Sequence, residues 1–123
     1  MMHKILIIED QIGDSLQNLL KRIFPVSQIR LSTDGASGIL TFSQFKPDLV
    51  ITDWNMPPGP HGGDVAKEIQ NIDKNAKIIL WSGSHPNTFE GYEHLFNQIL
   101  PKATDLYTWK TTIESQLLFD LER

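Results

Sequence analysis

Four apolar runs in this chain stop at polar residues, and the stretches between them have the length and periodicity of helices. Lys4-Ile5-Leu6-Ile7-Ile8 ends at Glu9-Asp10, Asp48-Leu49-Val50-Ile51-Thr52 at Asp53, Lys77-Ile78-Ile79-Leu80-Trp81 at Ser82, and Gln98-Ile99-Leu100-Pro101 at Lys102. A strand that is apolar on both faces belongs in a parallel sheet covered by helices on both sides. In open sheets of that kind the ligand site lies outside the carboxyl ends of the strands. Three carboxylates, a hydroxyl and an ammonium, far apart in the chain, are therefore expected at one rim. That set suits a divalent cation and a phosphoryl group.

The intervening segments read as follows. Leu16, Leu19, Leu20 and Ile23 fall at i, i+3, i+4, i+7, the stripe of an amphipathic helix. Asp14 or Ser15 is its expected cap, and Pro25 ends it. Gln28 to Ser32 is a short second strand. Thr33-Asp34-Gly35 opens a second helix carrying Ala36, Ile39, Leu40 and Phe42 to about Phe45. Met56 to Gly63 (MPPGPHGG) holds three prolines and three glycines and reads as loop. Val65, Ala66, Ile69 and Ile72 mark a third helix. A weak fourth is expected near Thr88 to Phe96. The last helix runs from about Thr104 to Leu121, with Leu106, Trp109, Ile113, Leu117 and Leu121 inward. Alternation of this kind predicts a doubly wound α/β sheet with right-handed crossovers.

Composition narrows the function classes. A chain of 123 residues has the size of one domain with a real core. Its net charge of −4 argues against nucleic acid as a direct partner. With no cysteine there is no disulfide, thiolate metal site or thiol nucleophile. The apolar run after Met1-Met2-His3 is too short for a signal h-region or a membrane span. The expectation is a cytoplasmic protein without a membrane partner.

The ordered set Ile7-Ile8-Glu9-Asp10, PDLVITDWNMP (residues 47–57), Trp81-Ser82-Gly83 and Lys102 resembles receiver domains of two-component response regulators. The match covers essentially the whole chain, and PDLVITDWNMP is its most specific segment. The resemblance implies a flavodoxin-like (βα)5 fold with strand order 2-1-3-4-5, filling residues 1–123 as a single receiver domain. It implies that Asp53 is the phosphoacceptor for a histidine kinase or histidine phosphotransfer protein, with Ser82 and Lys102 contacting the phosphoryl oxygens. It implies Mg²⁺, or Mn²⁺, held by Asp10, Asp53 and the backbone carbonyl of Asn55, with Glu9 acting through water. Such a domain is a signalling module and not an enzyme in its own right. Phosphorylation would switch a protein-interaction surface on the face of the fourth helix, fifth strand and last helix.

The residues carry this chemistry on physical grounds as well. A strand-end aspartate on its own most often caps a turn, but a carboxylate can also be a nucleophile and form an aspartyl phosphate. Adjacent carboxylates repel one another and raise each other's pKa values unless a cation is present. Mg²⁺ takes oxygen ligands from one or two carboxylates plus phosphate. A lone strand-end serine means little, and a lysine is usually solvated; the shared rim is what gives Ser82 and Lys102 weight.

Three departures from the family pattern stand out. Pro101 precedes Lys102 and Ala103 follows it, where the family has Lys-Pro. Ile99 occupies the position of a switching aromatic, for which Tyr92 or Phe96 would have to substitute. The loop from Met56 to Gly63 is rich in Pro and Gly and carries His61, read as a solvated residue. These departures favour one alternative, a degenerate receiver that serves as a phosphorylation-independent interaction module. A phosphatase-like enzyme is disfavoured because Asn55 stands where such enzymes carry a second aspartate. A flavodoxin-like cofactor binder is disfavoured because Glu9-Asp10 would repel a nucleotide phosphate.

Overall fold

The computed structural model describes residues 3–121, with side chains through residue 117. Five strands form one parallel sheet: β1 (Lys4–Ile8), β2 (Gln28–Ser32), β3 (Leu49–Thr52), β4 (Ile78–Ser82) and β5 (Gln98–Pro101). Their order is β2-β1-β3-β4-β5, as the sequence predicts. Four α-helices cover it: α1 (Gly13–Ile23), α2 (Gly35–Phe45), α3 (Gly62–Ile72) and α4 (Leu106–Leu121).

Side-chain alternation along the strands builds two cores. Ile5 and Ile7 pack with Leu16 and Leu20 of α1 and with Trp109, Ile113 and Leu117 of α4. Leu6 and Ile8 point the other way, onto Phe42 and Phe45 of α2 and Val65, Ala66 and Ile69 of α3. Every residue of β3 and β4 is buried, which explains why those runs are apolar throughout. The chain leaves β1 for β2 on one side and crosses back to β3 on the other, in register Ile5↔Leu49 to Ile8↔Thr52. The carboxyl ends of β1 and β3 are therefore the switch point of the sheet.

Several local expectations change. The predicted fourth helix is two 3-10 turns, Pro86–Phe89 and Glu93–Leu95. Pro86 starts the first, and Gly91, at φ 87°, breaks the path to the second; neither Pro nor Gly sustains an α-helical ladder. Gly62 and Gly63 belong to α3 and not to the preceding loop. Helix α1 begins at Gly13, and neither Asp14 nor Ser15 caps it. Asp34 does cap α2, accepting from the Ser37 amide at 2.8 Å. Leu106, expected inward, is exposed, and so are Ala36, Leu40 and Ile72 on their helices. The Leu121 side chain lies outside the described residues.

Candidate functional site

Backbone pairing sets the site. The Asp53 amide donates to the Ile8 carbonyl at 3.0 Å and the Glu9 amide to the Ser32 carbonyl at 2.9 Å, so both acidic positions leave the sheet at the same level. Beside them opens a cavity of about 780 Å³, lined by Glu9, Asp10, Asp53, Asn55, Ser82 and Lys102 among others. Glu9, Asp10 and Asp53 each offer a carboxylate oxygen, and these oxygens lie within 4.8 Å of one another. The six residues named from the sequence thus share one cavity.

Glu9 is the most enclosed of the acids, at 2% exposure. One of its oxygens accepts from the Gln11 amide at 3.0 Å and from the Ile12 amide. These amides lead into α1, whose first N–H groups need an acceptor. Both amides precede Gly13, so Glu9 pins the loop that enters α1 and does not cap the helix itself. The other oxygen accepts from Lys102 Nζ at 3.2 Å. Lys102 Nζ also stands 3.6 Å from Asp53 Oδ2 and 4.0 Å from the centre of the Trp81 ring. Asp53 Oδ1 accepts from the Trp54 amide at 2.7 Å. The Ser82 hydroxyl accepts from the Ser84 amide at 3.1 Å, and the Asn55 side-chain amide reaches the Ser84 hydroxyl at 3.4 Å.

The electrostatics divide the acids. Burial, reinforced by the neighbouring Glu9, pushes the Asp53 carboxyl up to about 6 against the pull of Lys102 and the Trp54 amide. Burial acts in the same direction on Glu9, but the Ile12 and Gln11 amides, Asp53 and Lys102 together bring its pKa below the ordinary value. Charge on Asp53 is the expensive one. Three clustered oxygens, one of them on a carboxylate that resists ionisation, fit a small divalent cation that prefers oxygen ligands.

His61 is not merely solvated. Its Nδ1 accepts from the Gly63 and Asp64 amides at 3.1 and 3.3 Å and so caps α3. An accepting Nδ1 leaves the ring hydrogen on Nε2, which lies 3.5 Å from Asp64 Oδ2. Its ring stacks on Trp54 at 4.4 Å and 13°. Tyr92 meets Trp54 edge-on at 5.2 Å, whereas Phe96 lies in the core under α3 and Ile99 is 39% exposed. The start of α3 also presses on the phosphoacceptor candidate. A Cβ added to Gly62 would lie 2.3 Å from the Asp53 carbonyl oxygen and 3.0 Å from Trp54 Cα, both backbone atoms that cannot turn aside. Gly62→Ala is expected to destabilise the protein by about 2–3 kcal/mol. Urea denaturation measures this, and a midpoint like that of wild type would show that the approach is looser.

Fold and site together define a flavodoxin-like domain built around an acidic pocket that holds an ammonium. The family model for the response regulator receiver domain matches residues 5–114. The chain belongs to that family and to two-component signalling. It is 34% identical over 82 residues to the chemotaxis protein CheY of Thermotoga maritima, covering 64% of this chain and 66% of that protein. It is 32% identical over 82 residues to sporulation initiation phosphotransferase F of Bacillus subtilis, covering 65% and 64%. The chain thus matches slightly less than two thirds of the length of these relatives. Among solved structures, the N-terminal domain of an uncharacterized Wolinella succinogenes protein superimposes with TM-score 0.86 at 27% identity, covering 98% of each chain. The response regulator TrrA of Thermotoga maritima, solved in complex with Mg(2+)-BeF, gives 0.80 at 26% identity, covering 94% of this chain and 99% of that one. No helix among the described residues is long and apolar enough to cross a membrane.

Proposed function

We propose that Asp53 is the phosphoacceptor of a two-component or phosphorelay pathway, with a phosphohistidine on a histidine kinase or phosphotransfer protein as donor. The observation that carries this reading is the Lys102 ammonium set between Glu9 and Asp53 at the switch point of the sheet. An Asp53 carboxylate oxygen forms the bond to phosphorus while the phosphorus–nitrogen bond of the donor breaks. The electron pair stays on the imidazole nitrogen, which takes up a proton. No general base is needed, since the nucleophile is already an anion. The work left to the protein is positioning and neutralising charge on the equatorial oxygens.

Asp10, Asp53 and the backbone carbonyl of Asn55 would hold Mg²⁺ or Mn²⁺, with Glu9 acting through water. When bound, such an ion supplies the positive charge that keeps Asp53 ionised and offsets its repulsion with the incoming phosphoryl oxygens. Lys102 and the Ser82 hydroxyl cover the remaining oxygens. The added charge then biases the segment after Ser82. A second cavity of about 480 Å³, lined by Ser84, Pro86, Phe89, Ile99 and Leu100, runs from Ser82 to the outer face of β5. It supports a downstream protein partner on the face of the 3-10 turns, β5 and α4. The reading has neither nucleic acid nor membrane as a direct partner and sets the domain in the cytoplasm.

Incubation with acetyl phosphate and Mg²⁺, followed by intact mass and peptide mapping, tests the assignment. The expected result is a single base-labile phosphate on residue 53 that a chelator prevents. A protein that takes up no phosphate is the phosphorylation-independent interaction module instead, and label on another residue overturns the assignment.

A further inference from the structure

We infer that Trp81 is a positioning residue for phosphoryl transfer, acting through Lys102; the inference rests on the phosphoacceptor reading of Asp53. Trp81 is 5% exposed and pairs with Leu100 in the register of β4 and β5, while Ser82 pairs with Pro101. Its ring therefore lies one strand over from Lys102, beneath the ammonium, with Nζ 4.0 Å from the ring centre. The ring also packs edge-on against Trp109 at 5.8 Å, itself 1% exposed. A rigid indole on a buried support is a fixed platform for a cation, and an indole face is the strongest of the aromatic faces for that purpose.

The lysine needs such a platform because its other partners are shared. Its ammonium lies between Glu9 and Asp53, and those carboxylates belong to the acidic group that fits a divalent cation. A cation there draws the same oxygens away from the ammonium. The turn around Lys102 fixes its backbone but leaves the side-chain stem open. Pro101 precedes it in a turn closed by Thr104 onto the Pro101 carbonyl, and its stem faces the bare Cα of Gly83. The Trp81 ring is the neighbour that stays in place when the carboxylates are recruited elsewhere. The indole N–H has no acceptor among the described residues. That is a cost phenylalanine would avoid, and it marks the ring face as the useful part of this side chain.

The test has a structural arm and a kinetic arm. In the first, NMR of the wild-type protein without phosphate reads the Lys102 ε-methylene protons, which are expected upfield through the ring current of Trp81. The shift should survive Trp81→Phe and vanish in Trp81→Met. In the second, phosphate uptake from acetyl phosphate is expected to fall roughly five- to tenfold in Trp81→Met and to recover substantially in Trp81→Phe. With Lys102→Ala as the background, Trp81→Met should cost nothing more. Unshifted lysine protons in the wild type would overturn the inference without any variant, should one fail to fold. An equal loss in both backgrounds would make Trp81 a core residue only. Normal uptake by Trp81→Met would sink the positioning role and leave the phosphoacceptor reading standing. A wild type that takes up no phosphate ends both, whatever the NMR arm shows.

Discussion

Asp53→Asn is expected to abolish phosphate uptake and, in the same protein, to raise stability at neutral pH by about 1–2 kcal/mol in the presence of a chelator. The two effects share a cause. The Asp53 carboxyl is pushed from 3.8 to about 6, chiefly by burial. A carboxyl whose pKa is higher in the folded state binds its proton more tightly there than in the unfolded chain. Its stabilising contribution is complete below the unfolded value and is lost as pH rises through the folded one. The wild type should therefore lose stability relative to Asp53→Asn between about pH 4 and about pH 7. The opening of the site to water keeps the effect below the full value of the shift. Urea denaturation of both proteins across that range is the measurement. A difference that does not grow with pH would show that ionised Asp53 carries no penalty. Mg²⁺ should stabilise the wild type much more than the variant, because the variant lacks the carboxylate that gains most from a cation.

Lys102→Ala is expected to lower the rate of phosphate uptake about a hundredfold while tightening the binding of Mg²⁺. Lys102 is the only Lys or Arg lining the cavity among the described residues. Without it, charge developing on the phosphoryl oxygens loses the one side chain able to neutralise it. At the same time Glu9 and Asp53 lose a competing cation at 3.2 and 3.6 Å. Opposite changes in rate and metal affinity separate this from general damage to the site, which would weaken both. Calorimetric titration with Mg²⁺ beside the uptake assay reads the pair. Metal binding that weakens along with the rate would mean the lysine organises the carboxylates and does not act on phosphate.

The parts of this fold legible in the sequence are those set by burial on both faces. The apolar runs ending at Ile8, Thr52 and Trp81 could only be central strands, and the observed order places them there. Residues at their ends had to converge, so the acids, Ser82 and Lys102 could be named before any coordinates. Misjudged positions depended on distant neighbours. Ile72 and Leu106 keep helical spacing but sit exposed at the ends of α3 and α4, and Leu40 falls on the face opposite Phe42; local periodicity carries no record of where the covering neighbours stop. The hold on the loop before α1 was hidden because its acceptor is the Glu9 carboxylate at the strand exit, reaching forward to the Gln11 and Ile12 amides. His61 gave no signal because histidine is not among the usual capping residues. The Trp81–Lys102 contact is diagonal between neighbouring strands, and the sequence shows Trp81 only as the end of an apolar run.

The pair of short turns between β4 and β5 has a mechanical consequence. A continuous α-helix behaves as one cooperative body, because each hydrogen bond is cheap only while its neighbours are made. Here the chain forms the Pro86–Phe89 turn and the Glu93–Leu95 turn as two short pieces, joined across Gly91 by the Tyr92 amide donating to the Phe89 carbonyl at 2.8 Å. The near turn is anchored by Phe89, which meets Trp54 edge-on at 5.0 Å, and the far one by Leu95 and Phe96 in the same core, so a push on one reaches the other through that joint. Such a linkage transmits displacement in graded portions, where a rigid rod would pass on all of it or none.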